Sequence, residues 1–189
     1  MTKKELRKLY LEKRKGLSEG DCAEFNLKLY SVFFSSIDLS FVKVLHTYLP
    51  IDHNREPDTW MIIDRIRREF PHIRISVPRV GPADELENTY FEEPNQLKKS
   101  SWGIPEPQQG VQTPNEKIDL AIVPLLVVDK LGHRVGYGRG YYDKLLQRTR
   151  PDCLKVGLSF FDAVDRIENV DEYDVALNQC VTPNGTILF

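Results

Sequence analysis

The chain has little cysteine: Cys22, Cys153 and Cys180 are its three thiols, and no CxxC pair occurs among them. An odd number of cysteines at such wide spacing excludes a disulfide framework and reads as reduced thiols in a cytoplasmic protein. The four histidines are equally scattered, so no zinc-ligand spacing arises. No stretch approaches the ~20 apolar residues of a membrane span. The basic start lacks the apolar run of a secretory leader, and Glu5 and Glu12 within it argue against a mitochondrial presequence. A large charge excess is missing too. A formal net charge of −2 leaves no global basic field to hold nucleic acid.

What is present looks like a soluble globular chain, with 41% hydrophobic and 29% charged residues. Thr2 and Glu5 form a capping-box pattern, which predicts a helix to about Lys15, stopped by Gly16. Ser18 to Asp21 opens a second helix, whose Phe25, Leu29, Val32 and Phe33 recur at helical spacing. Val42 to Leu49 reads as a strand closed by Pro50, followed by a helix from Asp58 to Glu69. Ile73 to Val77 reads as a strand that Pro78 ends. From Gly81 to Glu116, Pro94, Pro105, Pro107 and Pro114 exclude long elements. The apolar run Ile118 to Val128 fits a strand buried on both faces. A helix from Tyr142 to Arg150, a strand from Leu154 to Ser159 and a hairpin turning at Pro183 to Thr186 complete the pass. Helices and strands alternate without repeats or a linker. One three-layer α/β domain over residues 1–189, with a mostly parallel central sheet, is therefore expected.

The strongest chemical signal is a strand, a glycine-rich loop and a helix, within IDLAIVPLLVVD, KLGHRVGYGRG and YYDKLLQR. Alternating Gly136, Gly138 and Gly140 let the backbone approach a ligand without Cβ hindrance. The following helix start offers amide groups and a positive dipole end to an anion. Arg134 and Arg139 can add charge-assisted bonds to phosphate, and Asp143 stands where it can hold Mg²⁺ beside the phosphates. The loop is not a Walker A sequence, which requires GxxxxGK[ST], and Tyr141 occupies the third glycine position of GxGxxG. The alternative reading is a plain strand-to-helix turn in which Asp143 only answers the helix dipole.

Three further features bear on function. Lys3 and Arg7 share a helix face and can reach one phosphate together, or be a solvated basic face. Ser101-Trp102-Gly103-Ile104-Pro105-Glu106-Pro107 fixes an irregular backbone around Trp102, which either stacks on a flat ligand or closes a corner of the core. Tyr48, Glu56 and Asp58 follow the first strand, at the usual ligand edge of an α/β sheet, although Asp58 also suits a helix cap.

Taken together, these motifs resemble the 5-formyltetrahydrofolate cyclo-ligase family across nearly the whole chain. The resemblance runs from the K-xxx-R helix of Lys3 and Arg7 through YLP…E-x-DT between Tyr48 and Thr59, then SWGIPEP. It culminates in DLAIVPLLVVDKLGHRVGYGRGYYDKLL and ends in DEYDVAL. In many relatives the loop reads G-[FY]-G-G-G-YYD, so Arg139 stands where a small residue is common.

The resemblance implies a Rossmann-like fold related to sugar-phosphate isomerases and CoA transferases. It also implies ATP-driven conversion of 5-formyltetrahydrofolate to 5,10-methenyltetrahydrofolate, with Mg²⁺ as cofactor. It assigns ATP to Lys3, Arg7, Arg134, Gly136, Gly138, Arg139, Gly140, Tyr141 and Tyr142, with Lys3, Arg134 and Arg139 neutralising the transferred phosphoryl group. Leu49, Glu56, Trp102 and Tyr137 would contact the folate, and Asp143 and Asp174 would hold the metal. Asp171 and Glu172 compete with Asp174 for that last role. No protein partner, nucleic acid or membrane is expected. A sugar-phosphate isomerase that consumes no ATP, and a nucleotide-binding regulator without chemistry, are the rival functions.

Overall fold

In a computed structural model describing residues 1–100 and 103–189, two capping boxes start the chain. In α1 (Lys3–Lys15) the Thr2 hydroxyl accepts from the Glu5 amide while the Glu5 carboxylate accepts from the Thr2 amide. In α2 (Glu19–Ser36) Ser18 and Asp21 repeat the exchange, satisfying helix-end donors that have no intrahelical partner.

The strands in chain order are β1 (Val44–His46), β2 (Arg74–Val80), β3 (Leu86–Tyr90), β4 (Leu97–Lys99), β5 (Pro105–Pro107) and β6 (Leu120–Pro124). They continue with β7 (Val127–Val128), β8 (Arg134–Val135), β9 (Leu154–Leu158), β10 (Gln179–Thr182) and β11 (Gly185–Leu188). Helix α3 (Trp60–Glu69) links β1 to β2, and α4 (Tyr141–Gln147) links β8 to β9. Seven strands make one sheet in the order β11-β10-β9-β6-β1-β2-β3. Strands β10, β9, β6, β1 and β2 are mutually parallel, and β11 and β3 close the two edges antiparallel. The pairs β4–β5 and β7–β8 are separate two-stranded ribbons.

Helices cover both faces, giving the expected three layers. On one face, Leu29 and Phe33 of α2 and Ile62, Ile63 and Ile66 of α3 pack on Leu45, Ile75, Leu120, Ile122 and Val156. On the other, Leu145 and Leu146 of α4 meet Val44, Ala121, Val123 and Cys180. Leu6 and Tyr10 of α1 rest on Leu126, Val127 and Val135. Among the described residues no helix is long and apolar enough to cross a membrane.

Four expectations need correction. The strand expected over Val42 to Leu49 spans only Val44–His46, and the helix expected to reach Arg150 ends at Gln147. The strand expected to stop at Pro78 runs on to Val80 in register with β3. Phe91 N donates to Ile75 O and Thr47 N to Ser76 O, so alternate residues of β2 face opposite neighbours. The missing Pro78 N–H therefore faces the β1 side, beyond the point where β1 ends, and costs no ladder bond. The run Ile118 to Val128 is buried as expected but is not one strand. It splits at Pro124 into β6 in the central sheet and β7 in the ribbon under α1, so its burial comes from three different cores.

Close packing of β9 is testable at Gly157. A Cβ there would lie 2.6 Å from Leu125 Cδ2 and 2.7 Å from Leu177 Cδ1. Both leucines are buried, so Gly157→Ala is expected to lower stability by about 1–3 kcal/mol in urea denaturation. A change within about 0.5 kcal/mol would contradict this packing.

Candidate active site

The carboxyl ends of the parallel strands surround a cavity of about 660 Å³. It lies where the strand order reverses, since the chain runs outward from β1 to β2 and then returns to β6 on the other side of β1. Such a switch point leaves a crevice that open α/β sheets use for ligands. Leu49 and Glu56 enter it after β1, Pro78 to Val80 from the end of β2, and Pro124 from the end of β6. Lys3, Arg7, Tyr48, Arg134, Gly136, Tyr137, Gly138, Arg139, Gly140, Tyr141, Tyr142, Asp143 and Asp174 line the same space. Ile104 to Glu106 close one wall, while Trp102 lies outside the described residues. Asp58 does not line the cavity; its carboxylate accepts from Trp60 N at 2.9 Å, the helix-capping reading.

The glycine loop is held at both ends. The β7–β8 ribbon anchors its start, and Gly140 caps α4 in the left-handed region at φ +67°. No side chain caps that helix, so its first-turn amides lack intrahelical acceptors. Gly138 has φ +94°, and a Cβ there would lie 3.2 Å from Arg7 Cζ. Arg7 Nε donates to Gly136 O at 2.8 Å, so the guanidinium of α1 is seated directly on the loop.

The remaining charges form pairs. Lys3 Nζ contacts the carboxylates of Asp171 at 3.4 Å and of Asp174 more closely. Arg134 is buried; its Nη2 meets Asp143 Oδ1 at 2.8 Å and its Nη1 donates to Val175 O. Val175 N also donates to Asp143 Oδ1 at 3.0 Å, tying the late acidic segment to α4. Arg139 is exposed at the loop tip.

Around the Tyr137 side chain of the loop the character changes. Glu56 is only 8% exposed. Its Oε2 accepts from Ile51 N at 2.8 Å and its Oε1 accepts from the Tyr137 hydroxyl at 2.5 Å. Burial pushes the Glu56 carboxyl above its ordinary range, against the pull of those two bonds and of the Arg14 charge. Burial also raises the Tyr137 phenol, and the neighbouring Glu56 carboxylate adds to it.

Two residues at the site were not singled out in the sequence. Arg14 is buried behind the cavity and bonds the Tyr137 hydroxyl. Its signal is periodicity, because Lys3, Arg7, Tyr10 and Arg14 fall on one side of α1. His46, at the end of β1, meets the Tyr142 hydroxyl at 3.2 Å through Nε2 and has no partner at Nδ1. A fully buried polar residue inside an apolar strand leaves no periodic mark.

The model of the 5-formyltetrahydrofolate cyclo-ligase family matches residues 1–183. The chain belongs to that family. The NMR structure of Aquifex aeolicus 5,10-methenyltetrahydrofolate synthetase is similar at a TM-score of 0.85 and 31% identity, covering 100% of this chain and 93% of that one. The Escherichia coli K12 5-formyltetrahydrofolate cyclo-ligase is 29% identical over 141 residues, 68% of this chain and 72% of the relative. The Haemophilus influenzae 5-formyltetrahydrofolate cyclo-ligase is 35% identical over 86 residues, and the match spans 43% of this chain and 45% of that relative's length. The family match thus covers the sheet up to β10, the glycine loop and the N-terminal helix together.

His46 carries a stability signature. Burial lowers its pKa to about 3 from 6.5. The folded chain keeps it neutral while the unfolded chain takes up a proton below pH 6.5, so stability falls as pH drops through that window. From pH 7 to pH 5 the loss is about 2 kcal/mol. His46→Gln is expected to remove that loss in denaturation profiles, and parallel profiles for the two proteins would contradict it.

Proposed function

We propose that the chain converts 5-formyltetrahydrofolate to 5,10-methenyltetrahydrofolate at the expense of ATP, with residues 1–189 acting as one domain. The observation that carries this reading is a single cavity lined by two unlike sets of groups. One set, the glycine-loop backbone, the uncapped helix amides, Lys3 and Arg7, suits a polyphosphate. The other, Glu56 and the Tyr137 side chain among apolar walls, suits a pterin ring with an N–H edge. The printed names of the relatives support the same reaction.

In the proposed chemistry the formyl oxygen attacks the γ-phosphorus and ADP leaves. The neighbouring folate amine then closes on the activated carbon, phosphate departs, and the amine loses its proton. Neither step needs a protein nucleophile. The chain's part is in-line placement of the two substrates and neutralisation of the phosphoryl charge. Arg7 and the loop amides take the phosphate oxygens, Arg139 swings in from the loop tip, and Lys3 and Arg134 supply further positive charge beside the transferred group. Leu49, Trp102 and Tyr137 frame the folate.

Asp143 and Asp174 fit Mg²⁺. Among the described residues no group of three potential ligands occurs, but Mg²⁺ needs only one or two carboxylates beside substrate phosphates and waters. The bonds described above engage Asp143 Oδ1 and Asp174 Oδ2, leaving Asp143 Oδ2 and Asp174 Oδ1 for a metal. When bound, it neutralises charge on the transferring phosphates.

Mixing the protein with 5-formyltetrahydrofolate, ATP and Mg²⁺ should generate the near-ultraviolet absorbance of the methenyl product. Retained ATP binding with no product would sink the proposal and favour a nucleotide-binding regulator. Asp143→Asn keeps an acceptor for Arg134 and Val175 but loses the charge. It is expected to raise the Mg²⁺ requirement about tenfold or more and to reduce turnover. An unchanged Mg²⁺ dependence would leave Asp143 a purely structural residue.

A further inference from the structure

On the reading that Glu56 receives the pterin, we propose that Arg14 is a positioning residue for folate recognition. From behind the cavity it fixes the Tyr137 hydroxyl, and through it the Glu56 carboxylate, as an acceptor for the pterin N–H edge.

Arg14 is 2% exposed and sits outside the cavity lining. A buried guanidinium needs compensation, yet its described hydrogen bonds go to two neutral acceptors, Leu125 O at 3.2 Å and the Tyr137 hydroxyl. Among the described residues its Nε is buried without a partner. Glu56 supplies a balancing charge across the Tyr137 oxygen, which touches both groups. A guanidinium can only donate. The Tyr137 oxygen must therefore accept from Arg14, and its single proton must point to Glu56 Oε1.

The second carboxylate oxygen is held the same way, because Ile51 N donates to it. With Glu56 ionised, Arg14 and Ile51 thus orient both of its oxygens as acceptors, and the lone pairs left over bind only donors. A ligand edge rich in N–H groups is taken and a carbonyl edge is refused, the discrimination that buried polar groups give best. The Arg14 guanidinium also lies over the Tyr137 ring at 5.6 Å from its centroid, steadying the plane of a side chain that forms part of the cavity wall. The charged and titratable groups around Glu56 are Arg14, Tyr137, Tyr48, Tyr142 and His53. Burial drives the Glu56 carboxyl toward its neutral form, and the Tyr137 and Ile51 bonds with the Arg14 charge oppose it.

The test compares Arg14→Met, Arg14→Lys, Tyr137→Phe, the Arg14→Met/Tyr137→Phe double variant and Glu56→Gln in the full chain. Calorimetric titration with 5-formyltetrahydrofolate, the KM for ATP and a carbon-NMR titration of Glu56 are measured for each. Arg14→Met is expected to weaken folate binding about tenfold and to leave the KM for ATP within about twofold. The double variant should lose no more than the worse single variant, since both cut one relay. Without ligand, Glu56 should titrate about one pH unit higher in Arg14→Met. Arg14→Lys keeps the charge but cannot bridge Leu125 and Tyr137 at once. It should fall between wild type and methionine, and it carries the test if methionine prevents folding.

Unchanged folate affinity in a folded Arg14 variant, multiplying losses in the double variant, or an unmoved Glu56 titration would each overturn the proposal. If Glu56→Gln weakens folate binding and the Arg14 variants do not, only the Arg14 role fails. If Glu56→Gln leaves folate binding unchanged, the assignment of this part of the cavity to the pterin fails with it.

Discussion

The Arg7 guanidinium lies against the glycine loop, with Nε bonded to Gly136 O and Cζ close over Gly138. The two segments are 129 residues apart in the chain, and a side chain at position 138 would push them apart. Leu6 and Tyr10 seat α1 on the β7–β8 ribbon that carries the loop, so the helix and loop are set by a shared apolar core as well as by the bond. One helix then delivers cations at three depths. Lys3 reaches the late acidic segment, Arg7 the loop backbone, and Arg14 the hydroxyl of Tyr137. Without that seating the cavity would lose its basic side and the order of its floor together.

The division of the cavity follows from the sheet. The ends of β2 and β6 and the segment after β1 bring mostly apolar and neutral groups to the switch point, along with buried Glu56 and the Arg79–Glu87 pair. Two further charge pairs gather where α1, the loop and the late acidic segment meet. Lys3 with Asp174 and Arg134 with Asp143 are matched pairs, so in the proposed reaction polyphosphate and Mg²⁺ would enter by exchange of partners without leaving a buried charge uncompensated. A site poised in this way fits a reaction in which charge moves and no covalent enzyme intermediate forms.

Local chemistry was the legible part of the fold. The capping boxes at Thr2 and Ser18 start helices where the pattern placed them, because a cap is decided by residues three positions apart. The alternation of helices and strands gave the layers, and the closing hairpin forms around Pro183 and Asn184. Long-range context decided the rest. Pro78 reads as a breaker until its missing amide is seen to face past the end of β1, and Ile118 to Val128 reads as one strand because three cores bury it alike. At the site, the glycine loop, Lys3 and Arg7 carried visible patterns. Arg14 showed only its place on the same face of α1, and His46 showed nothing, because their roles depend on groups more than ninety residues away.

The account's central claim is that one cavity holds a polyphosphate at the glycine loop and a reduced folate at Glu56. A crystal structure with a non-hydrolysable ATP analogue, Mg²⁺ and 5-formyltetrahydrofolate tests it most directly. The expected result has the γ-phosphate on the loop amides and Arg7, the formyl oxygen in line with it, and the pterin N–H edge on Glu56. Phosphates bound away from residues 136–140, or a pterin turned from Glu56, would contradict it.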